Sequence, residues 1–218
     1  MKNHRQYVQH SEREDMKLFL ATFSRVGGYP QWHIQNDAVK VLDAGWLTMQ
    51  DGTSVFIDKW DMLIAHPPCT YLSNVCTRGF SLKCNTPEYV VNRWENRAKA
   101  AVFFMYFACS KIEKVCVENP VGFMNTAYRK PDQIIHPYMF AESVDDKENY
   151  VTKRTCLWLK GLPKLKTNDL PPVDNKRLFG QYANGKSRTW EEMVSRNRAQ
   201  VRSKTFPGVA KAMAEQWG

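Results

Sequence analysis

Four features that many proteins use are missing from this chain, and each absence narrows its possible functions. No stretch reaches the roughly 20 apolar residues that a membrane-spanning helix needs, and the polar N-terminus is unlike a secretory signal. The six cysteines form no Cys-x-x-Cys pair, which disfavours zinc although Cys69, Cys76 and Cys84 follow His66 closely. Glycine is absent before Gly27, so a glycine-rich ligand loop is excluded there. We expect reduced thiols, no metal, no membrane contact and a cytoplasmic location.

The composition is that of a folded domain with a basic surface. Of 218 residues, 43% are hydrophobic and 12% are aromatic, which is typical of globular rather than disordered chains. The formal net charge is +9. Such a charge favours a polyanionic partner, nucleic acid above all, although a solvated basic surface would give the same value.

Two short apolar runs each lead into a chemically reactive side chain. The first, Met62–Ala65, is typical of a buried strand, and the prolines before Cys69 end it because proline has no N–H for a sheet ladder. The second, residues 115–117, leads into Glu118-Asn-Pro. Sheets of α/β proteins bind ligands at the carboxyl ends of their strands, so we expect the Cys69 thiol and the Glu118 carboxylate at one site. The alternatives are a small buried thiol and a solvated strand-end carboxylate.

A helix is predicted between these runs, beginning at Pro87. Apolar residues recur there at three- and four-residue spacing, namely Val91, Trp94, Ala98, Ala101, Val102, Met105 and Cys109. This stripe predicts the packed face of an amphipathic helix, with Arg93, Arg97 and Lys99 largely outside it. The Phe103-Phe104 and Tyr106-Phe107 pairs are interpreted as core, the alternative being a base-stacking surface. A strand–helix–strand order favours parallel pairing of the two strands.

Taken in order, these motifs resemble those of the DNA cytosine-5 methyltransferases, in particular the compact type of phages and prophages. The resemblance covers residues 27–218 and is carried by His33-Ile-Gln-Asn-Asp37, His66-Pro-Pro-Cys-Thr-Tyr-Leu-Ser73, Glu118-Asn-Pro-Val121, Lys130-Pro-Asp-Gln-Ile134, Thr155-Cys-Leu-Trp-Leu-Lys-Gly161 and Arg202-Ser-Lys-Thr-Phe-Pro-Gly208. It implies an α/β, Rossmann-like, S-adenosylmethionine-dependent methyltransferase fold with a mostly parallel sheet. It also implies a monomer that acts on double-stranded DNA in a bacterial host cell, where such enzymes serve restriction–modification.

The resemblance implies roles for six residues near the reaction. Cys69 would be the nucleophile and Glu118 the carboxylate that binds ring nitrogen 3 of cytosine. Arg154 would help to hold the flipped cytosine, although a surface arginine beside a strand is an equally simple reading. The cofactor S-adenosylmethionine would be bound by Asp37, Pro67 and Pro68. Asp37 fits equally well as the N-cap of a short helical turn from residue 38.

Residues 1–26 depart from the family. They lack its glycine-containing cofactor loop, so we expect the sheet to lack its first strand. One hypothesis is that a one-base frameshift near codon 26 replaced the segment; the alternative is a natural basic N-terminal arm.

The remaining positive charge gathers near the C-terminus. Residues 176–204 carry eight lysines and arginines against two glutamates, a net of +6. Such side chains gain affinity for phosphates by counterion release, and those assigned to DNA are Lys186, Arg188, Arg196 and Arg198. Arg78 and Lys83, in a long loop after Cys69, are predicted to clamp DNA over the thiol. We divide the chain into an atypical segment 1–26, a catalytic core 27–170, and a DNA-contacting segment with a C-terminal helix, 171–218. That helix is predicted over Phe206 to Trp217, with Val209, Met213 and Trp217 on one face.

Two functions remain open on the sequence. The first is a DNA cytosine-5 methyltransferase that uses Cys69 and Glu118. The second is a non-catalytic basic DNA-binding remnant of such an enzyme, because the cofactor loop is not found.

Overall fold

The structure is a computed structural model, and it describes residues 18–21, 38–43, 45–48, 52–188 and 205–218. The chain forms two compact units, which are 1–133 with 156–162 (unit 1) and 134–155 with 163–218 (unit 2). These units reflect compactness alone, and the functional division at residues 26 and 170 stays a prediction.

The described part of the chain is mixed α/β. Its strands are β1 Leu18–Ala21, β2 Gly45–Thr48, β3 Ser54–Ile57, β4 Met62–Ala65, β5 Lys114–Pro120, β6 Gln133–Ile135 and β7 Thr155–Lys160. Its α-helices are α1 Ala38–Val41, α2 Pro87–Ala108, α3 Met124–Ala127, α4 Asn175–Phe179 and α5 Pro207–Trp217. Shorter 3-10 helices span Asn74–Phe80 and Pro137–Phe140.

The main sheet has the strand order β1-β4-β5-β7-β6, and β2 and β3 form a separate antiparallel hairpin. Strand β4 pairs in parallel with β1 on one side and β5 on the other, which confirms the predicted parallel pairing of the two apolar runs. The sheet as a whole is mixed rather than mostly parallel.

The prediction that the sheet lacks a first strand is wrong. Leu18–Ala21, within the segment that departs from the family, form β1 and pair with residues 62–65. A run of four residues is too short for its periodicity to distinguish a strand from a buried turn of helix. What makes it a strand is the exposed edge of β4, more than 40 residues later in the chain.

Helix α2 begins where it was predicted to begin, with Pro87 in its first turn and Thr86 capping the backbone N–H of Tyr89 at 3.4 Å. The prediction that the stripe packs inward is wrong, whereas the predicted burial of Phe104 and Phe107 is confirmed. Val91 and Val102 are 57% and 56% exposed, whereas the buried residues of the helix are Val90, Arg97, Phe104 and Phe107. Two phenylalanines remove more apolar surface from water than the smaller residues of the stripe, so their face turns inward.

The core of unit 1 is built around the central strands. All four residues of β4 are buried, and Phe104 of α2 meets Trp158 of β7 edge-on, with ring centroids 5.1 Å apart. Burial on both faces explains why β4 reads as a continuous apolar run instead of an alternating one.

Helix α5 anchors unit 2 through the face predicted from its spacing. Val209, Met213 and Trp217 are buried, and the Trp217 indole N–H donates to the Pro163 carbonyl at 3.0 Å. Gln216 also binds both the N–H and the carbonyl of Lys166, at 2.7 and 3.1 Å. The helix is therefore fixed by its apolar face and by hydrogen bonds at its end.

Among the described helices, none combines the length and apolarity needed to cross a membrane.

Candidate active site

The predicted site lies where β4 and β5 end side by side. The two strands pair with a constant offset of 52 residues, from Met62 with Lys114 to Ala65 with Val117. The same offset of 52 residues continues past the ladder. His66 contacts Glu118, and Asn119 contacts the backbone of Pro67. The Pro-Pro-Cys and Glu-Asn-Pro segments are therefore neighbours.

Asn119 ties the two segments together in the interior of unit 1. Its side chain is 2% exposed, and its Nδ2 donates to the Pro67 carbonyl at 2.8 Å. Proline offers its neighbour no N–H, so the carbonyl is the backbone group by which this strand end can be held. The contact fixes the direction in which the chain leaves β4.

A second connection joins the loops that follow the two strand ends. Ser73 and Gly122 form an isolated antiparallel bridge. The Phe123 N–H donates to the Leu72 carbonyl at 2.7 Å, and the Asn74 N–H donates to the Val121 carbonyl at 3.1 Å. A Cβ atom on Gly122 would lie 2.0 Å from the Leu72 oxygen, so the close approach of the two backbones requires glycine here. We call this connection the loop crossover.

Cys69 stands at the exposed end of this arrangement. It lies four residues after the end of β4, its side chain is exposed, and it is a thiol. Its carbonyl accepts hydrogen bonds from the N–H groups of Leu72 and Ser73, at 3.0 and 2.9 Å. Cys69 thus opens a tight turn that leads into the loop crossover, and the thiol is accessible to a reactant.

Glu118 is paired with a histidine. The carboxylate Oε2 contacts Nδ1 of His66, and the two side chains are 17% and 13% exposed. A carboxylate and an imidazole in contact can hold one proton between them. This end of the sheet therefore combines an exposed thiol with a mostly buried acid–base pair.

The thiol of Cys116 behaves differently from that of Cys69. Cys116 is fully buried in β5, and burial raises its pKa well above that of an ordinary thiol. The negative charges of Glu118 and Asp132 add to the same effect. Cys116 is consequently a neutral packing residue rather than a nucleophile.

The turn after Cys69 is held from helix α2 by a buried arginine. The Arg97 side chain donates through Nε to the Tyr71 carbonyl at 2.9 Å. Its guanidinium carbon lies 3.4 Å from the ring centroid of Phe80 and 4.8 Å from that of Phe123. Arginine suits such a site because its planar cation stacks on aromatic rings while donating from its edge. Arg97 therefore joins both loops of the crossover to α2.

Arg78 does not lie in an irregular loop, whereas Lys83 lies in a turn. Arg78 is part of the 3-10 helix Asn74–Phe80, and Lys83 follows it; both side chains are exposed. Asn85 holds the segment by donating to the carbonyls of Arg78 and Ser81, both at 3.0 Å. The two cations are thus carried by an anchored segment of unit 1, and their contact with DNA stays a prediction.

Three predicted residues lie in unit 2. Arg154 is exposed directly before β7. Lys186 is exposed beside the turn at Asn184-Gly185, and the Arg188 guanidinium lies 5.0 Å from the ring centroid of Tyr182. Their roles at cytosine and phosphate stay predictions. Asp37, Arg196 and Arg198 lie outside the described residues.

The prolines assigned to the cofactor differ in what they can contact. Pro67 is buried and its carbonyl is bound by Asn119, so it fixes the chain. Pro68 is half-buried and retains surface at the strand end, which fits a contact with a ligand. Within the described ranges, no group of three or more His, Cys, Asp or Glu side chains is arranged to hold a metal ion.

Sequence reasoning missed three residues that build this site. His66 was considered only beside a possible zinc site and as part of a motif, Asn119 only as part of a motif, and Arg97 was placed outside the packed face. The sequence signal for Arg97 was its helical spacing from the aromatic Trp94, three residues earlier. In the structure its guanidinium lies against the rings of Trp94 and Phe80. His66 and Asn119 gave no local signal, because their partners lie 52 residues away.

No family model matches the chain, and no curated protein is significantly similar to it.

Proposed function

We propose that the chain is a DNA (cytosine-5)-methyltransferase-like protein that transfers a methyl group from S-adenosylmethionine to carbon 5 of cytosine. The observation that carries the proposal is the pairing of two strand ends, one leading to the exposed thiol of Cys69 and the other to Glu118. A nucleophile and an acid–base pair at adjoining strand ends are the parts that this reaction needs.

The sheet supports a Rossmann-like methyltransferase fold as part of this proposal. Strand β1 lies beside β4 and β4 beside β5, all in parallel, as in doubly wound sheets. Two features depart from such a sheet. The sheet as a whole is mixed, and β2 and β3 pair with each other, whereas a doubly wound sheet would continue through them.

Cys69 is the nucleophile of the proposed reaction. Carbon 5 of cytosine is a weak nucleophile, and addition of a thiolate to carbon 6 turns carbon 5 into an enamine-like centre. Thiolates suit this step because they are strongly nucleophilic even when they are a small fraction of the thiol. The target base must leave the duplex to reach Cys69, at a cost of a few kcal/mol, and the exposed turn after β4 leaves the thiol accessible.

Glu118 offsets the charge that this addition creates. The electron pair displaced from the carbon 5–carbon 6 bond increases negative charge on the ring, and a proton from Glu118 to nitrogen 3 neutralises it. S-adenosylmethionine, when bound, supplies the electrophilic methyl group. Loss of the proton from carbon 5 to water, elimination of the Cys69 sulfur and return of the nitrogen 3 proton to Glu118 then regenerate the protein.

The non-catalytic DNA-binding remnant is the second candidate. It is favoured by the absence of glycine before Gly27 and by the basic surface, and it would bind DNA without forming a bond to it.

Covalent trapping separates the two functions. Duplex DNA containing 5-fluorocytosine is incubated with the protein and S-adenosylmethionine, and adducts are resolved on a denaturing gel. The methyltransferase forms an adduct with the wild type and with Cys84→Ser, which changes another exposed thiol, but not with Cys69→Ser. A folded wild type that binds DNA without any adduct would establish the remnant instead.

A further inference from the structure

The histidine at the end of β4 contacts the carboxylate that the proposed reaction uses as an acid. His66 Nδ1 and Glu118 Oε2 are hydrogen-bonding partners, and both side chains are more than four-fifths buried. An ionised carboxylate only accepts hydrogen bonds. Nδ1 therefore carries the hydrogen of this contact whenever Glu118 is ionised. The Glu118 carboxylate, which must be protonated again after it acts as an acid, is thus hydrogen-bonded to the His66 nitrogen that holds a proton.

We propose that His66 is the proton source for Glu118, so that the two side chains relay a proton to nitrogen 3 of the cytosine and back. This inference rests on the proposed function and assigns a role in it to a residue outside the nucleophile and the carboxylate. His66 does not touch the base; it acts through Glu118.

The proton transfers balance within the pair. The relay starts with two protons on the pair, one on Nδ1 of the His66 imidazolium and one on the Glu118 oxygen that does not contact His66. As the Cys69 sulfur bonds to carbon 6, Glu118 gives its proton to nitrogen 3. The Nδ1–H bond of the His66 imidazolium breaks, its proton passes to the Glu118 oxygen, and a neutral imidazole remains. When the carbon–sulfur bond breaks again, the electron pair returns to the ring and the proton follows the same route back. No oxidant, reductant or further reactant is required.

The other titratable groups around the carboxylate do not supply this proton. Cys116, two residues earlier on the same side of β5, is neutral, because burial and the charges of Glu118 and Asp132 raise its pKa. Asp132 pairs with Arg129 at 2.7 Å and accepts from the Leu159 N–H at 2.6 Å. Imidazole is the side chain that ordinarily exchanges its proton near neutral pH. The Cys69 thiol itself must lose a proton to react.

The hydrogen bond is tested first without any reaction. Nitrogen-15 NMR of the folded protein distinguishes which imidazole nitrogen bears hydrogen in neutral histidine. We expect His66 to bear it on Nδ1, and Glu118→Ala to shift it towards Nε2; the signal is assigned by its loss in His66→Gln. A wild-type His66 with a bare Nδ1 would overturn the inference.

The relay is tested by hydrogen exchange at carbon 5 of cytosine, which needs Cys69 addition and water but no cofactor. DNA carrying tritium at carbon 5 is incubated with the protein, and released tritium is counted from pH 5 to pH 9. The rate should rise as the thiolate becomes available and fall at the pH where the proton donor is lost. In His66→Gln, whose amide can still donate to Glu118, the rate at pH 7 should drop at least about tenfold, because general acids contribute roughly 100-fold or more. The falling limb should also move to lower pH.

The outcomes separate the inference from the proposed function. If the wild type releases tritium and His66→Gln matches its rate and pH profile while binding DNA equally well, His66 is a structural residue and the relay is wrong. If a folded wild type that binds DNA releases none, and Cys69→Ser is indistinguishable from it, the proposed function fails and the relay fails with it.

Discussion

Replacing Gly122 with alanine should break the loop crossover. The added Cβ would lie 2.0 Å from the Leu72 oxygen and 2.9 Å from the Ser73 Cα, both of them backbone atoms. An ordinary carbon–oxygen contact is about 3.3 Å, so the two backbones must separate by roughly 1.3 Å. No flexible side chain is available to absorb this movement.

The separation removes two hydrogen bonds, from Phe123 to Leu72 and from Asn74 to Val121. The buried Leu72 carbonyl left unpaired costs about 1–3 kcal/mol, and the bond from the exposed Asn74 adds about 0.5–1.5 kcal/mol. Displacement of packed backbone adds about 1–3 kcal/mol, so we expect Gly122→Ala to lower the free energy of unfolding by about 4 kcal/mol. That is a large share of the roughly 5–15 kcal/mol typical of a domain. For a chain of this size it corresponds to a fall of about 8–16 °C in Tm.

Urea unfolding followed by tryptophan fluorescence gives the global effect, and amide hydrogen exchange at Phe123 and Asn74 gives the local one. Gly185→Ala is the matched control, because Gly185 has φ +79° with no atom within 4 Å of an added Cβ. It should cost only about 1–2 kcal/mol of backbone strain. A loss below about 1 kcal/mol for Gly122→Ala, with both amides still protected, would refute the close approach of the two loops.

Two further predictions concern packing and pH. Phe104→Ala should destabilise the protein by about 3–5 kcal/mol, because Phe104 is fully buried. Val102→Ala, at a residue that is 56% exposed, should cost under about 0.5 kcal/mol. Equal losses in urea unfolding would mean that Val102 is packed inward, as the apolar stripe predicts. The raised pKa of Cys116 means that the folded state keeps a proton that the unfolded state releases, so this stabilisation is complete below the ordinary thiol pKa of about 8.5 and is lost as pH rises above it. The stability advantage of the wild type over Cys116→Ala should therefore shrink by about 1.4 kcal/mol per pH unit between pH 8.5 and 10, and a constant difference would contradict the shift.

The sequence was most informative where a structural cause is local. Proline ends strands and favours helix starts through its own backbone, whatever the rest of the chain does. The end of the strand Met62–Ala65 and the start of the helix at Pro87 were therefore predicted from the sequence. The spacing of Val209, Met213 and Trp217 likewise gave the buried face of α5.

It was least informative where the cause is a distant part of the chain. Strand β1 is stabilised by pairing with β4, and the sequence of its four residues does not reveal that partner. Helix α2 carries apolar residues around most of its circumference, so the sequence alone does not decide which face is buried. Phe104 faces inward because it packs against Trp158, a residue 54 positions later in the chain. The contact of His66 with Glu118 follows from the register of two strands, which no single segment encodes.

The discontinuity of unit 1 has a consequence for its synthesis. Strand β7 belongs to unit 1 but follows the first stretch of unit 2 in the chain. A ribosome adding roughly 5–20 residues per second therefore completes β4, β5 and α2 a second or more before Trp158 is made. During that interval the face of Phe104 that Trp158 will cover is exposed in the nascent chain. Residues 134–155 thus lengthen the interval in which an unfinished core can aggregate or recruit a chaperone.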